Sequence, residues 1–273
     1  MKRIIQSGRH FIVGGRRCPA YPHCRSSYRA MKEAGVLPPI VLPDSIDYSV
    51  PAAVALAKLY LNDQLGDCVI AGGMHIRGVT SANSTGKPVL FSDQQVVGQY
   101  SVIGGYDPSQ TDGQGNNPTD QGCDEQTAIN SWEQNGWPDG VVLENAVSVD
   151  ASNPVELREA LYWFENVMYG VELPDAYVNP FPAGNGFVWD VAGQPDPANG
   201  HCFISCGYNA QGTIIDTWGM IGTFTYAANA MYATRGLGGQ CFALLPADVV
   251  SKVTGKSPAG FDDAALKQYL ESL

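Results

Sequence analysis

No stretch of this chain is apolar for long enough to cross a bilayer. The longest run, "VPAAVALAKLYL" at 50–61, has twelve residues and includes Lys58, against the roughly 20 apolar residues that a spanning helix needs. The N-terminus lacks the apolar core of a signal peptide, so neither membrane contact nor export by that route is expected, and the expected location is the cytoplasm or a virion. A Gly-Lys-Ser/Thr phosphate loop is absent, and "GQGNNP" and "GLGG" lack the spacing of a dinucleotide loop. Cys18, His23 and Cys24 are metal-binding residue types without a fourth ligand nearby. No cofactor and no metal are therefore expected. There is no internal repeat.

Disulfide spacing is also missing. Seven cysteines is an odd number, and Cys202 and Cys206, four apart in a strand-like run, would stand about 13 Å apart at roughly 3.3 Å per residue, beyond bridging distance. A reducing compartment is the simpler setting. Cations are few, 16 Lys and Arg against 27 Asp and Glu, and they are unevenly placed. Eight of them (Lys2, Arg3, Arg9, Arg16, Arg17, Arg25, Arg29 and Lys32) stand in residues 1–41 beside a single acid, Glu33, which gives that arm +7 and leaves −18 for the remainder of a chain at −11. Such an arm suits an acidic protein or nucleic-acid partner, or neutralises the acidic body that carries it.

What is present is a chain of 273 residues, 44% apolar with mean hydropathy −0.11, long enough to bury a substantial core. After the arm, the prolines of "GVLPPIVLP" (35–43) mark an extended border. The pattern then predicts a helix from Cys68 through "CVIAGGMHIRGV" with Asp67 at its N-cap, its Gly72 and Gly73 permitting close packing. A second helix is predicted at "SDQQVVGQYSVI" with a Ser92–Gln95 capping box, and a third at "CDEQTAINSWEQNG" closed by Gly136. Turn formers fill 106–122 and predict a long surface loop. "NPVELREALYWF" (153–164) predicts one more helix, capped by Asn153 with Pro154 in its first turn. From there "VMYGVELP", the hairpin "HCFISCGYNAQGTIIDTWG" (201–219) and "GGQCFALLP" (238–246) read as strands. Helices first and antiparallel strands later predict an α+β protein with a site in the cleft between halves.

Cys68 is the cysteine placed for chemistry, because a helix N-terminus lowers a thiol pKa and a nearby imidazolium lowers it further. His75 lies two turns along the same helix, about 10 Å away by helix rise, and reads as a packed core histidine. His201 opens a strand, and a hairpin through Asn209 to Gly212 would return Asp216 to its side as the carboxylate that orients the imidazole. Asn62, six residues before Cys68, offers an amide that joins the Cys68 backbone N–H as an oxyanion hole.

These residues, in this order, resemble the papain-like cysteine peptidases over most of 42–246. "LPDSIDY" is similar to the start of the mature enzymes. "NDQLGDC" has an amide, five residues and the cysteine, as the family does. "FSDQQVVGQY" and "GCDEQTAINSWEQNGW" are similar to two of its helices, and "GHCFISCGYNAQGTIIDTWG" to its His, Gly-Tyr and Asn-Ser-Trp-Gly region. The resemblance implies a papain-like fold: an arm at 1–41, then one domain at 42–273 with a helical half to about 145, a β-rich half to about 250 and a helical tail. It further implies hydrolysis of a peptide or amide bond in a peptide or protein substrate, with Cys68 as nucleophile, His201 as base, Asp216 in place of the family's Asn, Asn62 in place of its Gln, and Trp218 shielding the His201–Asp216 pair. Val69 and Leu65 depart from the pattern, Leu65 standing where a disulfide cysteine would pair with Cys123. The alternative reading is a papain-fold structural or binding component of a larger assembly, such as a virion or a homo-oligomer, held by its basic arm.

Overall fold

The computed structural model describes residues 1–6, 9–16, 26–250, 256–257 and 259–272. In chain order the elements are β1 (Lys2–Gln6), β2 (Arg9–Val13), β3 (Ser26–Ser27), α1 (Tyr28–Glu33), β4 (Ile46–Asp47), α2 (Ser49–Leu56), α3 (Cys68–Thr85), α4 (Asp93–Gly104), α5 (Glu125–Asn135), β5 (Leu143–Ser148) and α6 (Pro154–Phe164). Then follow β6 (Val167–Glu172), α7 (Asp175–Val178), β7 (Phe187–Trp189), β8 (Gly200–Tyr208), β9 (Gly212–Thr217), β10 (Met220–Thr225), α8 (Tyr226–Tyr232), β11 (Gln240–Pro246) and α9 (Asp263–Glu271).

The helices begin where the local chemistry allows. Ser92 and Gln95 form the full capping box of α4, Asp124 accepts from the Thr127 N–H at the start of α5, and Asn153 accepts from Val155 and Glu156 ahead of α6. In the loop 106–122 the one helical turn is Pro108–Gln110. Strands β3-β5-β11-β6-β8-β9-β10-β7 form one sheet in that order, with β4 also on β8. Its interior pairs are antiparallel, and its two end pairs, β3–β5 and β10–β7, are parallel. This is the α+β architecture that the sequence predicts.

All nine residues of β8 are buried, so its alternating side chains serve two cores. Cys202, Ile204 and Cys206 face the core that α3 shares with α4 and α5, while Phe203 and Tyr208 belong to the core around α6. Helix α3 is buried from Cys68 to Ala82, including Arg77, whose guanidinium bridges Asp139 and Asp248 at 2.7–2.9 Å. A buried cation is tolerated there because two carboxylates surround it.

The arm at 1–41 is expected as an extended segment ordered by contact, and its described residues lie on the body and include a hairpin and a short helix. β1 and β2 form a hairpin, and Tyr28, Met31, Val36 and Leu37 enter the α6 core. Four of the arm's eight cations pair within the protein: Lys2 with Asp175, Arg16 with Glu125, Lys32 with Glu159 and Arg29 with Glu33. Cys18, His23 and Cys24 lie outside the described residues.

Glycines set how closely α3 packs. A methyl on Gly73 would overlap the Trp137 indole, and one on Gly78 would overlap Ala55 of α2. Gly78→Ala gains about 1 kcal/mol of helix propensity and loses about 1–3 kcal/mol to overpacking. We expect net destabilisation, read as a lower urea midpoint with an unchanged m-value.

Candidate active site

The loop ahead of α3 turns sharply, with Tyr60 and Leu61 at positive φ (49° and 66°). Asn62 is buried, and its amide donates to Leu65 O at 3.3 Å and Asp67 Oδ1 at 3.2 Å. The expected oxyanion donor is thus engaged within its own loop. Asp67 stands at the N-cap of α3 but makes no side-chain bond to the helix, and burial holds its carboxyl well above the usual carboxylate range. Cys68 opens the helix. Burial pushes its thiol up, against the backbone N–H of Cys202, which favours the thiolate. The five described cysteines are all free thiols and all buried.

His201 is fully buried at the start of β8. Its Nε2 meets Thr217 Oγ1 at 2.8 Å, and the Trp218 indole stacks on the ring at 3.9 Å and 9°. Its Nδ1 has no hydrogen-bond partner, so no Cys68–His201 hydrogen bond is formed. Burial lowers the imidazole to about 3, which keeps it neutral.

Asp216 does not orient His201. Its Oδ2 lies 3.0 Å from Nδ1 of His75, whose Nε2 meets Lys58 O at 2.9 Å. The reason is strand register. Near the turn Tyr208 pairs with Thr213, a register that would put Asp216 on the His201 face; between Tyr208 and Ser205 one extra residue enters β8, so Ser205 pairs with Ile215 and Ile204 with Asp216. That bulge reverses which side chains share a face. Asp216 is sent with Ile204 toward α3, and Thr217 takes the place beside His201. His75 is therefore more than core filling. Burial by itself would lower its imidazole, but the Asp216 carboxylate and the Lys58 carbonyl carry it above its ordinary value.

Cys68, Asn62, His75, Cys202, Asp216, Thr217 and Trp218 line one cavity of about 10 Å³, at the lower limit for a single water. The N-terminal segment crosses beside it. Gly14 N–H donates to Gly200 O at 2.8 Å, Cys123 N–H donates to Gly15 O at 3.1 Å, and Phe11 stacks on Phe181 and meets Trp218 edge-on. A methyl on Gly15 would stand 2.6 Å from the Gly66 carbonyl carbon. Arg16 closes the crossing with a fully buried ion pair to Glu125. Sequence reasoning missed Thr217 and the Arg16–Glu125 pair; the residue after Asp216 and an acid at the head of a predicted helix were the signals available. Among the described residues no cluster of His, Cys, Asp or Glu is arranged to hold a metal ion.

The His75–Asp216 pair ties α3 to β9. Because the folded imidazole titrates above its unfolded value, its stabilisation is complete below about pH 6.5 and is lost as pH rises through the raised folded value. Melting temperatures between pH 5 and 9 should fall on the alkaline side. Asp216→Asn should abolish that alkaline fall, because burial then holds the imidazole below its unfolded value and stability is lost toward acid instead, and should cost about 3–5 kcal/mol, as expected for breaking a buried pair.

No family model matches the chain, and no curated protein matches it by sequence. Solved structures do match by fold. Procathepsin L2 from the larval midgut of Tenebrio molitor aligns with TM-score 0.58 and 16% identity over 86% of this chain and 78% of that one. Xylellain, a cysteine protease from Xylella fastidiosa, aligns with TM-score 0.56 and 13% identity over 90% and 98%. The proform of the ragweed pollen cysteine protease Amb a 11 aligns with TM-score 0.52 and 17% identity over 78% and 69%. The helical layer, the twice-buried sheet and these alignments together show that the chain adopts a divergent form of the papain-like cysteine peptidase fold.

Proposed function

We propose that the chain is a cysteine hydrolase cleaving a peptide or amide bond, with Cys68 as nucleophile and His201 as base, held latent by its own N-terminal segment. The observation that carries this reading is the His201 ring. It is anchored through Nε2, stacked under Trp218 and left with one unpartnered nitrogen, one residue before Cys202, whose N–H meets the Cys68 sulfur. An imidazole held in one orientation with one nitrogen to spare is arranged to take a proton.

In the closed state the proton stays on sulfur, because burial penalises both thiolate and imidazolium. When the N-terminal segment lifts, water reaches the pair and the ionic form becomes accessible. The proton passes from Sγ to Nδ1, and the thiolate attacks the substrate carbonyl carbon. The Cys68 backbone N–H, with the Asn62 amide once it turns from Leu65 O, stabilises the oxyanion. The imidazolium protonates the leaving amine, and water activated by His201 then hydrolyses the thioester. Thr217 is the positioning residue. Asp216 serves at one remove, by joining α3 to β9 through His75.

The second reading, a structural or binding component of an assembly such as a virion, is favoured by the closed cleft alone. An acidic or nucleic-acid partner for the arm has less to bind, since Lys2, Arg16 and Lys32 are paired with the body.

Phe11→Ala, which removes the ring packed on Phe181 and Trp218, should speed alkylation of Cys68 by iodoacetamide at pH 6, followed by peptide mapping, and His201→Ala in that background should abolish the gain. Uniformly slow labelling of all variants would support the assembly reading. In the same background Cys68→Ala should eliminate hydrolysis of fluorogenic peptides. Thr217→Val should lower kcat by about 100-fold at similar KM, with Thr217→Ser restoring most of it. Asn62→Ala should cost on the order of 100-fold.

A further inference from the structure

Arg16 does more than cross the cleft. Its guanidinium enters a slot whose floor is Glu125, the first residue of α5. Nε lies 2.9 and 3.2 Å from the two carboxylate oxygens, Nη1 donates to Gly238 O at 2.7 Å, and neither side chain is exposed. Two glycines make room for it. A Cβ on Gly170 of β6 would overlap the Glu125 carboxylate and the guanidinium, and one on Gly200 would stand 2.8 Å from the Arg16 carbonyl oxygen. The slot lies at the sheet side of the site: Arg16 N–H reaches Gly200 O, next to His201, and Gly170 pairs with Cys202 of β8.

A carboxylate removed from water is tolerated when a cation is hydrogen-bonded to it. Covering the cleft does not require one, and Phe11 covers its part through ring packing. The fork of Nε to carboxylate and Nη1 to carbonyl, beside the backbone of Gly170 and Gly200, fits a planar guanidinium and not the point charge of an ammonium. We infer that this slot is an arginine-recognising subsite of the cleft, filled here by the chain's own Arg16, and that a substrate peptide places an arginine side chain in it once the N-terminal segment has lifted. The substrate clause rests on the hydrolase reading; the slot's selectivity for guanidinium does not.

Two measurements on the full-length chain separate these claims. In Arg16→Ala, and in the shorter, neutral Arg16→Gln should the first not fold, N-acetyl-arginine amide should bind saturably and raise the melting temperature. N-acetyl-citrulline amide, the neutral near-isostere, and N-acetyl-lysine amide should bind at least tenfold more weakly, and the arginine preference should vanish when Glu125→Gln is added. Equal binding of all three probes, or no binding, would overturn the inference. With Phe11→Ala, a positional peptide library should be cleaved at least tenfold faster with arginine than with norleucine at one fixed position, and Glu125→Gln should erase that difference. Cleavage without arginine preference would defeat the subsite while leaving the hydrolase reading intact. Selective arginine binding with no cleavage would defeat the hydrolase reading and keep the slot.

Discussion

Strand β8 is covered on both faces, and most of what is distinctive in this molecule depends on that. A strand packed on one side can slip by a residue at the cost of exposing some side chains, but one packed on both must deliver each residue to a particular core. The face with Cys202, Ile204 and Cys206 belongs to α3, and the opposite face belongs to α6. His201 is held by the same rule, and so are its neighbours on β9. The single extra residue between Ser205 and Tyr208 decides that Thr217 stands beside the imidazole and that Asp216 stands behind it. Two buried polar pairs result, His201–Thr217 and His75–Asp216.

The second constraint is water. Cys68 lines a cavity that admits about one solvent molecule, His201 is fully buried, and burial shifts both groups in the direction that keeps them neutral. The same side chains with water at hand would favour charge separation, which low polarity suppresses. The N-terminal segment lies across the same region. It threads backbone hydrogen bonds between Gly200 on the sheet side and Cys123 on the helical side, and it anchors one cation, Arg16, where a carboxylate is otherwise stranded. On the hydrolase reading, closure and latency are then one property of the fold rather than two.

Much was legible in the residues alone. The caps at Ser92, Asp124 and Asn153, the C-terminal Gly136, the Asn209–Gly212 turn and the position of Cys68 at the head of α3 are local: each depends on side chains that reach backbone groups a few residues away, or on a backbone conformation that one residue type tolerates. The order of the motifs sufficed for the fold class, since the halves each carry their own periodicity. Expectations failed where contact partners come from distant sequence. The Thr217–Asp216 exchange follows from a bulge that the pairing of β8 with its neighbours imposes, and no turn residue announces it. The helix in the N-terminal arm was unread because Tyr28 and Met31 become core only when α6 is there to receive them.

By itself, then, the sequence determined the elements, their order and which residues are chemically able to act, because propensity, capping and hydrophobic period are properties of neighbours along the chain. The tertiary structure alone decided which imidazole meets which partner, whether the thiol is wet or dry, and where the charge of Arg16 goes. Those depend on strand register and on burial, and neither exists until the sheet, the helices and the N-terminal segment have closed on one another.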